Sequence, residues 1–176
     1  MNEIFNQLLM STKIAGIGNL IEYLGLNGFY TCPASSSHHL SCENGLLEHS
    51  LNVWNVAKEL PMVKEVDRND LIIACLLHDV GKMGYFGQQM YLPNILKSGK
   101  VSESKPFETN KTLVIEHQDL SLMILSKFIE LTQESAIAIK FHNGLYTRDG
   151  YTISGKETKL QMILHFADMW ASRVVE

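Results

Sequence analysis

The sequence predicts an all-α protein, a single helical bundle over residues 1–176. Two observations carry that expectation. Apolar residues recur three and four apart through most of the chain, as in Leu47, Leu51 and Trp54 or in Leu160, Ile163, Leu164, Ala167 and Ala171, which is the period of a helix with one face in a core. Helix starts and stops fall between these segments: Pro61 closes one, Asp67 or Asn69 and Thr132 can cap others, and Asn143-Gly144 ends another. A chain of 176 residues buries roughly two thirds of its unfolded surface, enough for one core without disulfides. No repeat, interdomain linker or low-complexity stretch divides it.

In order along the chain, Ile4, Phe5, Leu8 and Leu9 share a helical face, the period breaks at Gly16-Ile17-Gly18, and Leu20, Ile21 and Leu24 resume it, giving two short helices. Residues 28–44 contain Pro33, Ser35-Ser36-Ser37 and His38-His39 with no period, and read as a polar loop. From Gly45 to Leu60 the pattern is an amphipathic helix that carries His49. The next helix contains seven consecutive apolar residues, Leu71 to Leu77, followed at once by His78-Asp79-Val80-Gly81-Lys82. A second long loop then extends to about Lys111, punctuated by Gly84, Gly87, Pro93, Gly99 and Pro106. Loops of that length in a compact domain are usually functional, and this one could form part of a substrate lid. Helix returns over Val114 to Ile129, with His117 in its first turns, and again from Thr132 to Phe141-His142. Tyr146 to Tyr151, with Asp149-Gly150 inside it, reads as a small hairpin. Ser154-Gly155-Lys156-Glu157 reads as the capping box of a last helix, whose apolar face runs from Leu160 to Val174 and which carries Asp168.

The formal net charge of −4 disfavours a nucleic-acid binder that works by bulk electrostatics, since such proteins need an excess of Lys and Arg over the 15 present here against 19 acidic residues. The three cysteines, Cys32, Cys42 and Cys75, form no CxxC pair, and their odd number argues for a reducing compartment. The first residues lack a basic segment before an apolar one, and no stretch has the apolar length of a membrane span. A soluble cytoplasmic protein is expected, with its oligomeric state left open.

The most informative feature is the pair His78-Asp79, an imidazole and a carboxylate delivered side by side at the end of a buried helix. Further candidate ligands, His49, His117, His142 and Asp168, lie on separate predicted helices. Mixed nitrogen and oxygen ligands suit a divalent ion such as Mn, Fe, Ni, Co or Zn, with Mg also admissible, and helical bundles build metal sites in their cores from facing helices. Other residues have plainer readings. His38 and His39 either line an entrance or are solvated, and His165, one turn before Asp168, has a supporting or core role. Glu48 is exposed or supports His49, and Arg173 is a surface arginine near a helix end. Cys75, Trp54 and Trp170 read as core residues. Tyr85, Phe86 and Tyr91 either anchor the second loop or stack a base.

The order His49, His78-Asp79, Asp168 resembles the HD-domain superfamily of metal-dependent phosphohydrolases, over most of the chain. Pro33-Ala34, His38-His39 and Gly45-Leu46-Leu47-Glu48-His49-Ser50 are also similar to the lead-in of the HD domain in YhaM-type 3′→5′ exoribonucleases, which usually carry an OB domain as well. The resemblance implies that His49, His78, Asp79 and Asp168 bind a first ion. His117 and His142 would then hold a second, with Asp79 bridging the two, and Lys82 would contact substrate phosphate or the attacking hydroxide. Asp79 and Lys82 are thus the expected catalytic residues. The expected activity is hydrolysis of a phosphate ester or anhydride, most naturally of a small nucleotide, with cyclic-nucleotide phosphodiesterase and exoribonuclease acting on short RNA as alternatives. A di-iron oxygenase is an alternative of another class, and a noncatalytic HD-fold module a third. The residues that select the substrate are expected in the two long loops.

Overall fold

The computed structural model describes residues 1–176. Its helices are α1 (Asn2–Ser11), α2 (Ile17–Leu26), α3 (Gly45–Ala57), α4 (Arg68–Leu77), α5 (His117–Leu125), α6 (Gln133–Lys140), α7 (Gly150–Ile153) and α8 (Lys159–Trp170). Between α4 and α5, strands β1 (Tyr91–Pro93) and β2 (Phe107–Thr109) pair antiparallel with Tyr91 opposite Thr109. The fold is all-α apart from this hairpin.

The assembly is organised around α4. Asp67 starts it: its carboxylate accepts from the N–H groups of Asn69 (2.8 Å) and Asp70 (3.1 Å), donors that a helix start otherwise leaves unpaired. Every side chain from Leu71 to Leu77 is at most 3% exposed, and a helix apolar on all sides belongs in the middle of a bundle. It contacts α1, α3, α6 and α8. Ile72, Ile73, Leu76 and Leu77 join Phe5, Leu9, Leu20, Leu46 and Ile124 in the larger core cluster, whereas Leu71, Ala74 and Cys75 meet Val53, Ala57, Leu160, Ile163, Leu164 and Ala167 in a second one.

Polar contacts set the register of the helices. Asp70 Oδ1 accepts from both Thr132 Oγ1 and Ser135 Oγ at 2.8 Å, tying the start of α4 to the start of α6. Thr132 in turn caps α6 through Ser135 N (3.1 Å). Two glycines permit close approach. A Cβ on Gly45 would lie 2.1 Å from the Leu40 carbonyl oxygen, and one on Gly81 would lie 2.0 Å from that of His117. The Gly81 N–H donates to Ser121 Oγ (2.9 Å), and that hydroxyl donates to the His117 carbonyl (2.9 Å). The turn after His78-Asp79 is therefore pressed against the first turn of α5.

Several expectations are corrected. Tyr146 to Tyr151 is not a hairpin: a 3₁₀ turn at Gly144–Tyr146 leads into α7. A type I′ turn needs positive φ at both central residues, and neither Asp149 nor Gly150 has it. Ser154 does not cap the last helix, because it closes α7 and Gly155 follows at φ +76°; Thr158 caps α8 instead, through Gln161 N (3.2 Å). α5 is shorter than Val114 to Ile129, beginning only after Glu116, which is extended (ψ 144°). The second loop contains the β1–β2 hairpin. Trp170 is 44% exposed and stacked on Phe166 rather than in the core, and Val174 is 61% exposed. No helix is long and apolar enough to cross a membrane.

Candidate metal centre

Five elements bring the six predicted ligands together. His49 comes from the second turn of α3, His78 and Asp79 from the end of α4, His117 from the first residue of α5, His142 from just beyond α6, and Asp168 from α8. His49, His78, Asp79 and His142 are at most 1% exposed. Their donor atoms fall into overlapping groups within 4.8 Å: His49, His78 and Asp79; His78, His142 and Asp168; Asp79, His117 and His142.

Asp79 is the centre of the cluster, and its two oxygens face different sides. Oδ2 lies 3.4 Å from His78 Nε2, 3.6 Å from His49 Nε2 and 2.6 Å from Lys82 Nζ. Oδ1 lies 3.3 Å from His117 Nε2 and 3.4 Å from His142 Nε2. Asp168 Oδ1 is 3.2 Å from His49 Nε2. The ring orientations are set from behind: His78 Nδ1 meets the Cys75 carbonyl (3.1 Å) and His142 Nδ1 the Ile139 carbonyl (2.8 Å), so both present Nε2 to the cluster.

A divalent ion fits this donor set. His49 Nε2, His78 Nε2 and Asp79 Oδ1 are buried and make no hydrogen bond, although buried polar atoms are almost always paired. Ligands about 2.1 Å from one ion sit roughly 3.0–3.4 Å from each other, close to the separations observed here. The convergence of unpaired donors at that spacing is what a cation would relieve.

The electrostatics agree. Burial works to raise the Asp79 carboxyl, but Lys82 and His78 outweigh it and hold Asp79 well below the usual carboxylate range, so it is ionised and ready to ligate. Burial likewise opposes Asp168, yet His49 beside it holds this carboxyl low too. For Lys82, burial is overcome by Asp79, and the ammonium stays charged. His117 is pushed down to about 3, chiefly by burial, so its ring is neutral. Burial also lowers His78. For His49 burial is outweighed by the Asp168 and Glu176 carboxylates, which push it up to about 9 while no cation is present.

Sequence reasoning missed two groups. Glu176 places Oε1 3.0 Å from His49 Nδ1, and Asn143 places Nδ2 3.0 Å from His142 Nε2 and 3.4 Å from His117 Nε2. Neither carries a motif, and Asn143 reads only as a helix stop. Of the open residues, His39 packs its ring 5.1 Å from that of His49, while His165 Nδ1 meets the His142 carbonyl (2.6 Å) and so supports the segment bearing that ligand.

A helical bundle with a buried His/Asp cluster on five elements is a fold whose core could hold a divalent metal. The family model of the HD domain matches residues 46–170, from the residue after Gly45 to the end of α8, and the chain belongs to that family of metal-dependent phosphohydrolases. No curated protein and no solved structure matches the chain.

Proposed function

We propose that the chain hydrolyses a phosphate ester or anhydride of a nucleotide, using one or two divalent ions held by His49, His78, Asp79, His117, His142 and Asp168. The observation that carries this is the division of Asp79, one oxygen toward His49 and His78, the other toward His117 and His142, with Lys82 alongside. A bound divalent ion supplies Lewis acidity and lowers the pKa of water. The chain's own residues do the rest. Lys82 keeps a fixed positive charge at the cluster, with its remaining N–H donors free to meet nonbridging phosphoryl oxygens. Neutral His117 has one ring nitrogen free of a proton.

The cluster is sealed on one side and open on the other. The His49, His78 and His142 side chains are at most 1% exposed, whereas those of Lys82, Asp168 and His117 are 14%, 18% and 22% exposed and mark the mouth. Half-buried Tyr91, on β1, is close enough to Lys82 for each to influence the other's protonation. Small nucleotides rank ahead of RNA because the chain is acidic. The exoribonuclease and cyclic-nucleotide readings differ from the leading one only in what enters this mouth.

The test is to incubate the Mn-loaded chain and Asp79→Ala with nucleotides, cyclic nucleotides and short RNA and to compare products by mass. Cleavage at phosphorus by the parent alone supports the proposal, and the product masses name the substrate. Equal cleavage by Asp79→Ala refutes it, and oxygen uptake by the iron-loaded chain without phosphate cleavage moves the assignment to the oxygenase class.

A further inference from the structure

We propose that Glu176 is a positioning residue for His49: its carboxylate accepts the Nδ1–H of that ring, fixes the tautomer that turns Nε2 toward the cluster, and thereby tightens the hold on a divalent ion. The inference rests on reading the cluster as a metal centre.

The need for such a group follows from where His49 sits. His78 and His142 come after the ends of their helices, where carbonyls of the last turn have no intrahelical partner, and each uses one of these, Cys75 O or Ile139 O, to hold Nδ1. His49 lies inside α3, where the carbonyls are committed to the helix, and the nearby Leu46 oxygen also receives Ser50 Oγ at 2.9 Å. An acceptor for its Nδ1 must therefore come from another element. Glu176 supplies it with both oxygens, at 3.0 and 3.2 Å.

The carboxylate is otherwise hard to explain. Its side chain is 1% exposed and has no Lys or Arg partner; its neighbours are His49, His39 Nε2 at 3.9 Å and Asn52 Nδ2, which donates to Oε1 at 3.2 Å. With no Lys or Arg beside it, this carboxylate depends on the His49 ring for its main polar contact, and its placement against one ring nitrogen points to a specific use. Local geometry is built for it. After α8 the chain widens into a π-helical turn over Ala171–Val175, closed by the Glu176 N–H donating to the Ala171 carbonyl (3.0 Å). In a continued α-helix Glu176 would lie roughly 80° around the axis from Asp168. A π turn winds less per residue and reduces that offset, so one helix sends Asp168 to one nitrogen of His49 and Glu176 to the other. Such turns cluster at functional sites.

A carboxylate behind a ligating imidazole fixes its tautomer and raises its basicity, and removing such a partner typically weakens metal affinity 10- to 100-fold. The experiment titrates the ion-free full chain and its Glu176→Ala and Glu176→Gln variants with Mn²⁺ by calorimetry. Ion-free melting temperatures are recorded alongside, together with the His49 Nδ1 proton resonance in ¹⁵N-labelled, Zn²⁺-loaded protein. Glu176→Ala is expected to weaken binding about 10- to 100-fold with a smaller change in ion-free melting, and to lose the hydrogen-bonded Nδ1–H signal. Glu176→Gln, which keeps an acceptor but not the charge, is expected to fall between. Parent-like affinity in either variant overturns the proposal, and Glu176→Gln carries the test alone if Glu176→Ala does not fold. A parent that takes up no ion would overturn the metal centre itself and this inference with it. Because the readout is affinity and not turnover, the result is independent of which phosphate ester is cleaved.

Discussion

At the scale of single residues, the chemistry separates candidate ligands from the groups beside them. Lys82 touches Asp79 but offers no lone pair to a cation, being charged throughout the working range. Lys82→Ala is therefore expected to retain Mn²⁺ uptake by calorimetry while losing turnover on any substrate found for the parent, by roughly 10²- to 10³-fold if it acts on developing phosphoryl charge. Gly81 gives a different test. An added Cβ meets the His117 backbone head-on, so Gly81→Ala is expected to cost about 1–3 kcal/mol in urea unfolding and to weaken metal uptake by displacing His117. His78 and Asp79 stood out in the sequence because seven apolar residues lead straight to them. Glu176 did not, since its partner is 127 residues away and apolar periodicity does not encode a π turn.

At the scale of elements, helices were legible where the apolar period and a cap agreed, as in α4 with Asp67 and α6 with Thr132. They were misread where two signals overlapped. Ser154-x-x-Glu157 and Thr158-x-x-Gln161 both fit the start of a last helix, and only backbone geometry decides between them. Thr158→Ala is expected to cost about 1 kcal/mol in chemical denaturation, against less than about 0.5 kcal/mol for Ser154→Ala. Asp149-Gly150 misled for a similar reason: a pair that favours hairpins here opens α7, because Gly150 packs where a Cβ would strike the Gly144 carbonyl oxygen at 1.8 Å. Trp170 sits on the same helix as the core residues Ile163 and Ala167 but on its open side, and its apolar character alone could not say which.

At the scale of the whole molecule, the candidate centre joins elements from α3 to the end of α8, so an ion bound there would also hold the bundle together. An ion that binds only the folded chain stabilises it by about 2.7 kcal/mol at a free concentration one hundred times its dissociation constant. Addition of Mn²⁺ to the ion-free protein is expected to raise the melting temperature, and chelation to reverse it. Asp79→Ala is expected to abolish the rise. The bundle could be anticipated from the helical period, and the convergence of the six candidate ligands from the family resemblance carried by the order His49, His78-Asp79, Asp168. The β1–β2 hairpin could not, since its three-residue strands are too short to show alternation.

The link from Asp70 to Thr132 and Ser135 works as a common origin for two rulers. From that point α4 and α6 run side by side, and each delivers a histidine at its far end, with the His78 and His142 rings 4.8 Å apart. Ten residues of helix are about 15 Å long, so the tie lies well away from the ligands yet fixes how far each is pushed forward. A slip of one helix along the other would leave every ligand present and change the gap between the two halves of the centre. In a chain loaded with two Mn²⁺ ions, the magnetic coupling between them would report Asp70→Ala as a change in spacing, even though Asp70 touches neither.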